Sequence, residues 1–323
     1  MPQSQADAEI AARNGPLFVV LNAGSGNNDA QEARRVMGEV FEQAGRRAEF
    51  LTADTGASIA QLASRAVALA LAQGGVVVAA GGDGTINAVA GAVLGSGCPF
   101  GVLPQGTFNY FGRVNAIPQD TRAAAQALVG ARVLPVQVGQ VNGKVFLVNA
   151  SLGLYPQLLE DRETWKQQLG RSRAVAFLSG LATLARHSRQ LKLEVELGGK
   201  TMALRTPTLF VGNNRLQLER VGIEASDADA TEQGELVAIV LKPIGSLALF
   251  GLLLRGVLGR LGEANTVDSF SFRRMTVRLR GVRRIKVATD GEIVWMTSPL
   301  VFEVAPLALR LMVPAPEDCA PVE

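Results

Sequence analysis

The chain has 323 residues, of which 48% are hydrophobic and 5% aromatic, and its formal net charge at pH 7 is only +3. A chain of this length predicts about two domains, and its many aliphatic side chains are sufficient for a large core. The single histidine and the two widely separated cysteines, Cys98 and Cys319, argue against a histidine-based catalytic triad or a zinc site, and they favour a reducing compartment.

Neither a secretory leader nor a transmembrane segment is expected. The first 14 residues are polar, with no basic start and no apolar stretch. No apolar run reaches the length of about 18 residues that a spanning helix needs. These patterns predict a cytoplasmic protein.

Strands and helices alternate over residues 1–135. Uninterrupted apolar runs, such as residues 76–80, predict buried strands, and apolar residues spaced three or four apart predict helices between them. The predicted strands are 17–21, 48–52, 76–80 and 100–104, and the predicted helices are 30–44, 58–72 and 86–94. This alternation is typical of a doubly wound parallel sheet, in which ligands bind at the carboxyl ends of the strands.

Three loops of glycine and small polar residues follow predicted strands, at residues 22–28, 81–87 and 105–109. Backbone N–H groups of such loops bind phosphate at the start of a helix, and glycine permits close approach. Asp83, in the middle loop, would repel phosphate unless a divalent cation lies between them or the carboxylate accepts a proton. A tight turn with a capping aspartate and no ligand would explain one such loop, but three at one sheet edge predict a phosphate site.

After residue 135 the pattern changes to short alternating strands, with a crossover expected over 131–140. The predicted strands are 191–197, 208–211, 235–241, 275–279, 285–288 and 301–304. They indicate an antiparallel second domain, and Asn142-Gly143 marks a hairpin turn. Two helical stretches, 165–187 and 247–261, carry arginines among leucines and either lie against lipid or pack on the sheet.

A dense basic run lies in the C-terminal part of the chain. It consists of Arg273, Arg274, Arg278, Arg280, Arg283, Arg284 and Lys286. On paired strands, alternation would place many of these side chains on one face, which is either attracted to an anionic membrane or merely solvated. No aromatic residues are interleaved, so nucleic acid is not expected as a partner.

The loop sequences resemble the motifs of the diacylglycerol kinase catalytic domain family, bacterial-type lipid kinases related in fold to NAD kinase. Residues 22–26 (NAGSG) resemble its NPxSG loop, residues 81–87 (GGDGTIN) match its GGDGTxN, and residues 103–111 (LPQGTFNYF) resemble its LPxGTxNDFA. A later DGE, at 290–292, also fits the family's order and spacing.

This resemblance implies an α/β fold in two domains. An N-terminal nucleotide-binding domain with a doubly wound parallel sheet is expected over residues 1–135. A C-terminal antiparallel, β-sandwich-like domain for the lipid substrate is expected over 136–323, and its last strand can pack back on the first domain.

The resemblance also implies a lipid kinase that uses ATP and Mg²⁺ to phosphorylate a lipid alcohol such as diacylglycerol. Glu292 would be the general base, Asp290 would help to orient the hydroxyl, and Asp83 would act through Mg²⁺ or its waters. The residues implied for the ATP site are Asn22, Gly24, Ser25, Gly26, Thr52, Gly81, Gly82, Asp83, Gly84, Thr85, Asn87 and Thr107. The metal ligands stay unassigned, and the implied location is peripheral, at the anionic inner surface of the membrane.

Three positions depart from the family pattern. Tyr110, Gln137 and Gln233 stand where the family has aspartates, so each change removes a negative charge. A catalytically weak nucleotide- or lipid-binding sensor is therefore one alternative. An NAD kinase-like phosphotransferase, which shares GGDGT, is another, although the motifs at 106–109 and 290–292 favour a lipid acceptor. The acceptor lipid and the oligomeric state stay open.

Overall fold

The computed structural model describes residues 5–22, 27–52, 57–153, 156, 190–213, 234–242 and 267–320. Gly24, Ser25, Gly26 and Gln233, and the helices expected at 165–187 and 247–261, lie outside these residues. The chain divides into a first unit, made of Met1–Val138 and Ala305–Glu323, and a second unit, made of Gly139–Val304.

The helices of the first unit are α1 (Gln5–Asn14), α2 (Asn27–Gln43), α3 (Ile59–Gln73), α4 (Asp83–Val93), α5 (Tyr110–Val114) and α6 (Thr121–Val129). Its strands are β1 (Leu17–Leu21), β2 (Ala48–Thr52), β3 (Val76–Gly81), β4 (Phe100–Pro104), β5 (Arg132–Val136) and β18 (Leu309–Val313). The strands of the second unit are β6 (Gly139–Val141), β7 (Lys144–Phe146), β8 (Asn149–Gly153), β9 (Leu191–Leu197), β10 (Lys200–Thr206), β11 (Thr208–Gly212), β12 (Leu236–Leu241), β13 (Val267–Phe272), β14 (Arg274–Leu279), β15 (Arg284–Thr289), β16 (Glu292–Thr297) and β17 (Leu300–Val304).

The described strands of the first unit form one sheet in the order β2-β1-β3-β4-β18-β5. Its pairings are parallel from β2 through β18, and only β5 runs antiparallel to its neighbour. Every residue of β1, β3 and β4 is buried. Continuous apolar runs suit these positions because helices pack on the strands, α3 on β1, α4 on β3 and α6 on β4. The predicted parallel α/β sheet is confirmed.

Helix α3 shows how local sequence sets the boundaries of these elements. The Gln61 N–H donates to Ser58 Oγ at 3.3 Å, and the Ser58 N–H donates to Gln61 Oε1 at 2.8 Å, which is a capping box. The helix ends at Gly74, which has a left-handed φ of 62°. The chain then enters β3 directly, so the helix end fixes where the central strand begins.

The segment expected as a crossover, residues 131–140, contains strand β5. It pairs antiparallel with β18, with Pro135 opposite Arg310. Proline has no backbone N–H to donate to a neighbouring strand, but β5 is the outermost described strand, where that loss is tolerated.

The second unit contains two six-stranded sheets among its described strands. Their orders are β10-β9-β14-β17-β6-β7 and β13-β12-β11-β8-β15-β16, and the pairings are antiparallel. Both sheets contribute to one buried core, which includes Phe302 and Val195 from the first sheet and Leu152 and Val211 from the second. The predicted antiparallel, sandwich-like architecture is confirmed.

Two tight hairpin turns in this unit have turn-forming sequences, and the first of them was predicted. Asn142 and Gly143, between β6 and β7, have φ values of 48° and 79°. Asp290 and Gly291, between β15 and β16, have φ values of 48° and 86°. Positive φ at both central residues is the geometry that Asn-Gly and Asp-Gly pairs favour in two-residue hairpins. Among the described residues, no helix is both long and apolar enough to cross a membrane.

Candidate active site

The three small-residue loops of the first unit follow neighbouring strands. Because β1, β3 and β4 are adjacent and parallel, their carboxyl ends share one edge of the sheet. Asn22 Nδ2 donates to Thr85 Oγ1 at 3.0 Å, which ties the first loop to the second. The Gln105 N–H donates to the Gly81 carbonyl at 2.9 Å, which ties the third loop to the second. The second and third loops therefore meet as predicted, and Asn22, the described start of the first loop, joins them.

The second and third loops meet at two glycines. A Cβ built on Gly106 would lie 2.8 Å from Gly82 Cα and 2.7 Å from Asn109 Oδ1. A Cβ on Gly81 would lie 2.7 Å from the Thr85 side chain. These distances are shorter than van der Waals contact, so Gly106 is required by the approach of the two loops to each other, and Gly81 by the approach of the Thr85 side chain within the second loop.

Asn109, which sequence reasoning did not assign to the site, organises the third loop. It is buried with a left-handed φ of 48°, and its Oδ1 accepts the Gly106 N–H at 2.9 Å. Its Nδ2 donates to the Gly106 carbonyl and to Gln119 Oε1, both at 2.9 Å. Its backbone N–H donates to Asp83 Oδ2 at 2.9 Å. Asn109 thus closes the third loop with its side chain and positions the Asp83 carboxylate with its backbone N–H.

The Asp83 carboxylate is only half satisfied. Oδ2 accepts the Asn109 N–H, whereas Oδ1 is buried with no hydrogen-bond partner among the described residues. Burial raises the pKa of the Asp83 carboxyl above its ordinary value, against smaller lowering by the backbone N–H groups of Asn109, Tyr110 and Phe111. A buried anionic oxygen without a donor is costly unless a ligand neutralises it.

A divalent cation fits this arrangement. Mg²⁺ prefers oxygen ligands and is commonly held by one or two carboxylates together with substrate phosphates and water. Among the described residues no cluster of three or more His, Cys, Asp or Glu side chains could hold a metal by itself. Asp83 is therefore suited to hold a cation that arrives with a phosphate ligand.

The other described residues predicted for the nucleotide site differ in how deeply they are buried near this junction. Thr85 and Asn87 are buried in the first turns of α4, and Gly84 is exposed beside them. Thr107 is exposed in the third loop, and Thr52 is half-buried at the carboxyl end of β2, the neighbour of β1.

The aspartate positions that are altered in this chain lie in different places. Tyr110 begins α5, and its ring stacks on Phe108 with centroids 5.7 Å apart. Gln137 lies between β5 and β6, and Gln233 lies outside the described residues.

In the second unit, the Asp290 carboxylate accepts three backbone N–H groups. Its Oδ2 accepts the Leu147 N–H at 2.7 Å, and its Oδ1 accepts the N–H groups of Val148 and Asn149, each at 2.9 Å. The Asp290 N–H in turn donates to the Asn149 carbonyl at 2.9 Å. Asp290 therefore clamps the start of β8 to the turn that precedes Glu292.

Glu292 opens strand β16, and its side chain is 64% exposed. Its Oε2 lies 2.7 Å from Lys144 Nζ on β7, so the two side chains form an ion pair. Sequence reasoning missed Lys144. The Asn142-Gly143 hairpin signal places Lys144 at a strand start, but nothing in the local pattern connects it to a residue 148 positions later.

Comparison with known proteins gives a consistent assignment. A family model for the diacylglycerol kinase catalytic domain matches residues 16–141. The chain is 32% identical over 186 residues to the diacylglycerol kinase of Bacillus subtilis (strain 168), a match that covers 56% of this chain and 59% of that protein. It is 32% identical over 263 residues to a Pseudomonas aeruginosa protein named "Probable lipid kinase YegS-like", which covers 78% of this chain and 82% of that protein.

A solved structure shares the fold. The crystal structure of a diacylglycerol kinase from Bacillus anthracis str. Sterne superposes with a TM-score of 0.67 over 94% of this chain and 97% of that one. The sequence identity is 18%, so this likeness concerns the fold alone.

Proposed function

Because the chain belongs to the diacylglycerol kinase catalytic family of lipid kinases, we propose that it transfers the γ-phosphoryl group of ATP to the hydroxyl of a membrane lipid such as diacylglycerol. The observation that carries this proposal is the junction of the glycine loops, with a buried Asp83 oxygen that lacks a hydrogen-bond partner among the described residues. Such a junction offers main-chain N–H groups for phosphate and one anionic oxygen for a cation.

The first unit, corresponding to the domain expected over 1–135, is assigned to ATP. The loops at 22–26, 81–87 and 105–109 would hold the phosphates through backbone N–H groups. Thr52 and Thr107 stand beside them, on the neighbouring strand end and in the third loop. Phosphoryl transfer consists mainly of positioning and charge neutralisation, which a rigid junction of close-packed loops supports.

Asp83 would hold Mg²⁺, directly or through a bound water. When bound, the ion neutralises negative charge on the transferring phosphoryl group. The chain's own contribution is to keep Asp83 Oδ1 free for that purpose, since the Asn109 N–H engages only Oδ2.

The second unit, within the domain expected over 136–323, is assigned to the lipid. Glu292 would accept the hydroxyl proton as the lipid oxygen bonds to the γ-phosphorus and ADP departs. Lys144 holds the Glu292 carboxylate in one orientation, and Asp290 fixes the turn. The acceptor would be reached from an anionic membrane surface to which the protein binds peripherally at the cytoplasmic side, with no role for nucleic acid.

The test is transfer of labelled γ-phosphate from Mg-ATP into the lipid fraction of mixed vesicles. Glu292→Gln should slow transfer by about 10²–10⁴-fold, as expected for loss of a general base. Glu196→Gln is a matched control, because Glu196 is also a partly exposed glutamate in an ion pair, with Arg278, in the same unit.

Each outcome of this experiment separates the candidates. Labelled lipid that disappears only in Glu292→Gln supports the proposal. ATP binding without labelled lipid would favour the catalytically weak sensor. Label in a soluble nicotinamide dinucleotide instead of lipid would favour an NAD kinase-like reaction.

A further inference from the structure

Five arginines of the basic run in the second unit separate into two groups by ion pairing. Three of these arginines face glutamates on neighbouring strands, so their charge is locally balanced. The pairs are Arg274 with Glu303 at 2.6 Å, Arg278 with Glu196 at 2.9 Å and Arg280 with Glu194 at 2.9 Å. By contrast, Arg283 and Arg284 are exposed and form no ion pair with any residue that the structure describes.

Arg284 of the second group lies beside an exposed tryptophan, together with Lys286. Trp295 on β16 is 58% exposed. The Arg284 guanidinium carbon lies 5.8 Å from the centroid of its ring, and Lys286 Nζ lies 5.3 Å from it. In the β15–β16 register Lys286 is opposite Trp295 and Arg284 is opposite Thr297, so these side chains share one face of the hairpin. We call Arg284, Lys286 and Trp295 the Trp295 face, and the exposed Arg283 comes directly before it in the chain.

The Trp295 side chain is not part of the buried core of the second unit. The opposite face of the same hairpin supplies Val287 and Met296 to the buried core. Strand β16 is the outermost described strand of its sheet. An indole on the solvent-facing side of an edge strand contributes little to the stability of the fold through burial. Exposed aromatic side chains beside cations are typical of interaction surfaces.

An anionic lipid surface fits this chemistry. Tryptophan is favoured at membrane–water interfaces, where its apolar ring and polar N–H are both accommodated. Arginine and lysine beside it are attracted to anionic headgroups. The Trp295 face joins both features, whereas the paired arginines on β14 have already been neutralised by glutamates.

The Trp295 face lies close to Glu292 along the same strand. Trp295 comes three residues after Glu292, which is about 10 Å at the spacing of a β-strand, and an odd separation places the two side chains on opposite faces of β16. The docking surface and the proposed general base are therefore adjacent along the strand but do not share a face.

We propose that the Trp295 face docks the protein on anionic phospholipid headgroups. This inference rests on the proposed function, because a membrane-borne acceptor is what docking would serve. The two are nevertheless separable, since binding to vesicles needs no ATP and transfer to a soluble acceptor needs no vesicles.

The first experiment is co-sedimentation with vesicles of phosphatidylcholine alone or with added phosphatidylglycerol. The wild-type protein should bind the anionic vesicles selectively, and higher salt should weaken binding. Arg283→Gln/Arg284→Gln should weaken it about 25-fold, at roughly fivefold per basic residue. Arg274→Gln/Arg278→Gln removes the same charge from the paired group and should change binding less than about twofold.

A second measurement reports on the tryptophan itself. The chain has two tryptophans, Trp165 and Trp295, so Trp165→Phe leaves Trp295 as the only indole. Its fluorescence should shift to shorter wavelength with anionic vesicles and stay unchanged with phosphatidylcholine alone.

Three results would overturn the docking proposal. The two double variants could weaken binding to anionic vesicles equally, or the wild-type protein could bind neutral and anionic vesicles equally well. The third is that it binds duplex DNA in preference to vesicles. Phosphorylation of a dispersed short-chain diacylglycerol should be the same in Arg283→Gln/Arg284→Gln and in wild type, which excludes misfolding. Selective vesicle binding without phosphorylation of any lipid by the wild-type protein would support docking and overturn the proposed function.

Discussion

Asp83 in the first unit and Asp290 in the second follow the same local pattern, a strand end followed by Asp-Gly, yet their carboxylates are used differently. Asp290 accepts three backbone N–H groups with its two oxygens. Asp83 accepts the Asn109 N–H on one oxygen, and its other oxygen is buried with no hydrogen-bond partner among the described residues.

The difference separates a structural carboxylate from one available to a ligand. A carboxylate that accepts three backbone donors stabilises the turn that it closes and has less capacity left for substrate. A buried carboxylate oxygen without a donor destabilises the folded protein, and binding of a cation relieves that cost. Both aspartates were candidate catalytic residues by sequence, and their hydrogen bonds now suggest different roles.

The largest expected effect that tests this contrast is on Asp83. Asp83→Asn keeps an oxygen for the Asn109 N–H but removes the charge, so phosphoryl transfer should fall by about 10²-fold or more. The measurement is label transfer from Mg-ATP to lipid. Transfer at the wild-type rate would contradict the role assigned to Asp83.

The same variant should be more stable than wild type at pH 7 without nucleotide or divalent cation. Burial raises the pKa of Asp83 in the folded state, so the folded protein holds the Asp83 proton more tightly than the unfolded chain does. The free energy of unfolding of the wild type therefore falls as the pH rises from the unfolded-state pKa through the folded-state pKa. The amide has no charge to bury, so the urea midpoint of Asp83→Asn should exceed that of wild type at pH 7, and the gap should narrow in acid.

Asp290 should show the reverse, a loss of stability. Asp290→Ala leaves three backbone N–H groups without their acceptor and places alanine at a φ of 48°, so unfolding should become about 2–4 kcal/mol easier. Asp290→Asn should lose less, since asparagine tolerates this φ and keeps one acceptor oxygen. Urea denaturation measures the stability of both Asp290 variants. If Asp290→Ala reduced phosphoryl transfer without changing stability, the contrast drawn between the roles of Asp83 and Asp290 would be wrong.

The smallest expected effect concerns the loop junction that holds Asp83. Gly106→Ala would place a methyl group 2.8 Å from Gly82 Cα, which should destabilise the protein by about 1–3 kcal/mol. Gly91→Ala is the matched control, because nothing lies within 4 Å of its Cβ position on α4, and it should stabilise by about 0.5–1 kcal/mol. Equal effects of the two substitutions on the urea midpoint would mean that the junction is not closely packed.

The parts of the fold predicted from sequence were those specified locally. Strands β1, β3 and β4 follow from apolar runs that are buried along their whole length, and the start of α3 follows from the Ser58 capping box. The Asn142-Gly143 hairpin follows from two residues that accept positive φ. Such signals need no knowledge of the rest of the chain.

The parts that could not be predicted depend on distant residues. Asp290 accepts N–H groups more than 140 positions earlier, and Glu292 pairs with Lys144 across 148 positions. The division of the basic run depends on which strand lies beside β14, since Glu194, Glu196 and Glu303 come from β9 and β17. Strand pairing decides these contacts, and spacing along one strand does not reveal it.

The return of the chain to the first unit has a consequence for synthesis on the ribosome. Strand β18 lies between β4 and β5, and β5 pairs with it alone among the described strands. Val138, where the chain leaves the first unit, accepts the Ala305 N–H, where it returns, at 2.8 Å. Until residue 313 has left the exit tunnel, the nascent sheet has an open edge at β4 and an unpaired β5. The first unit therefore starts to be translated earlier but is completed after the second, and its exposed strand edge needs protection from pairing with other chains in the meantime.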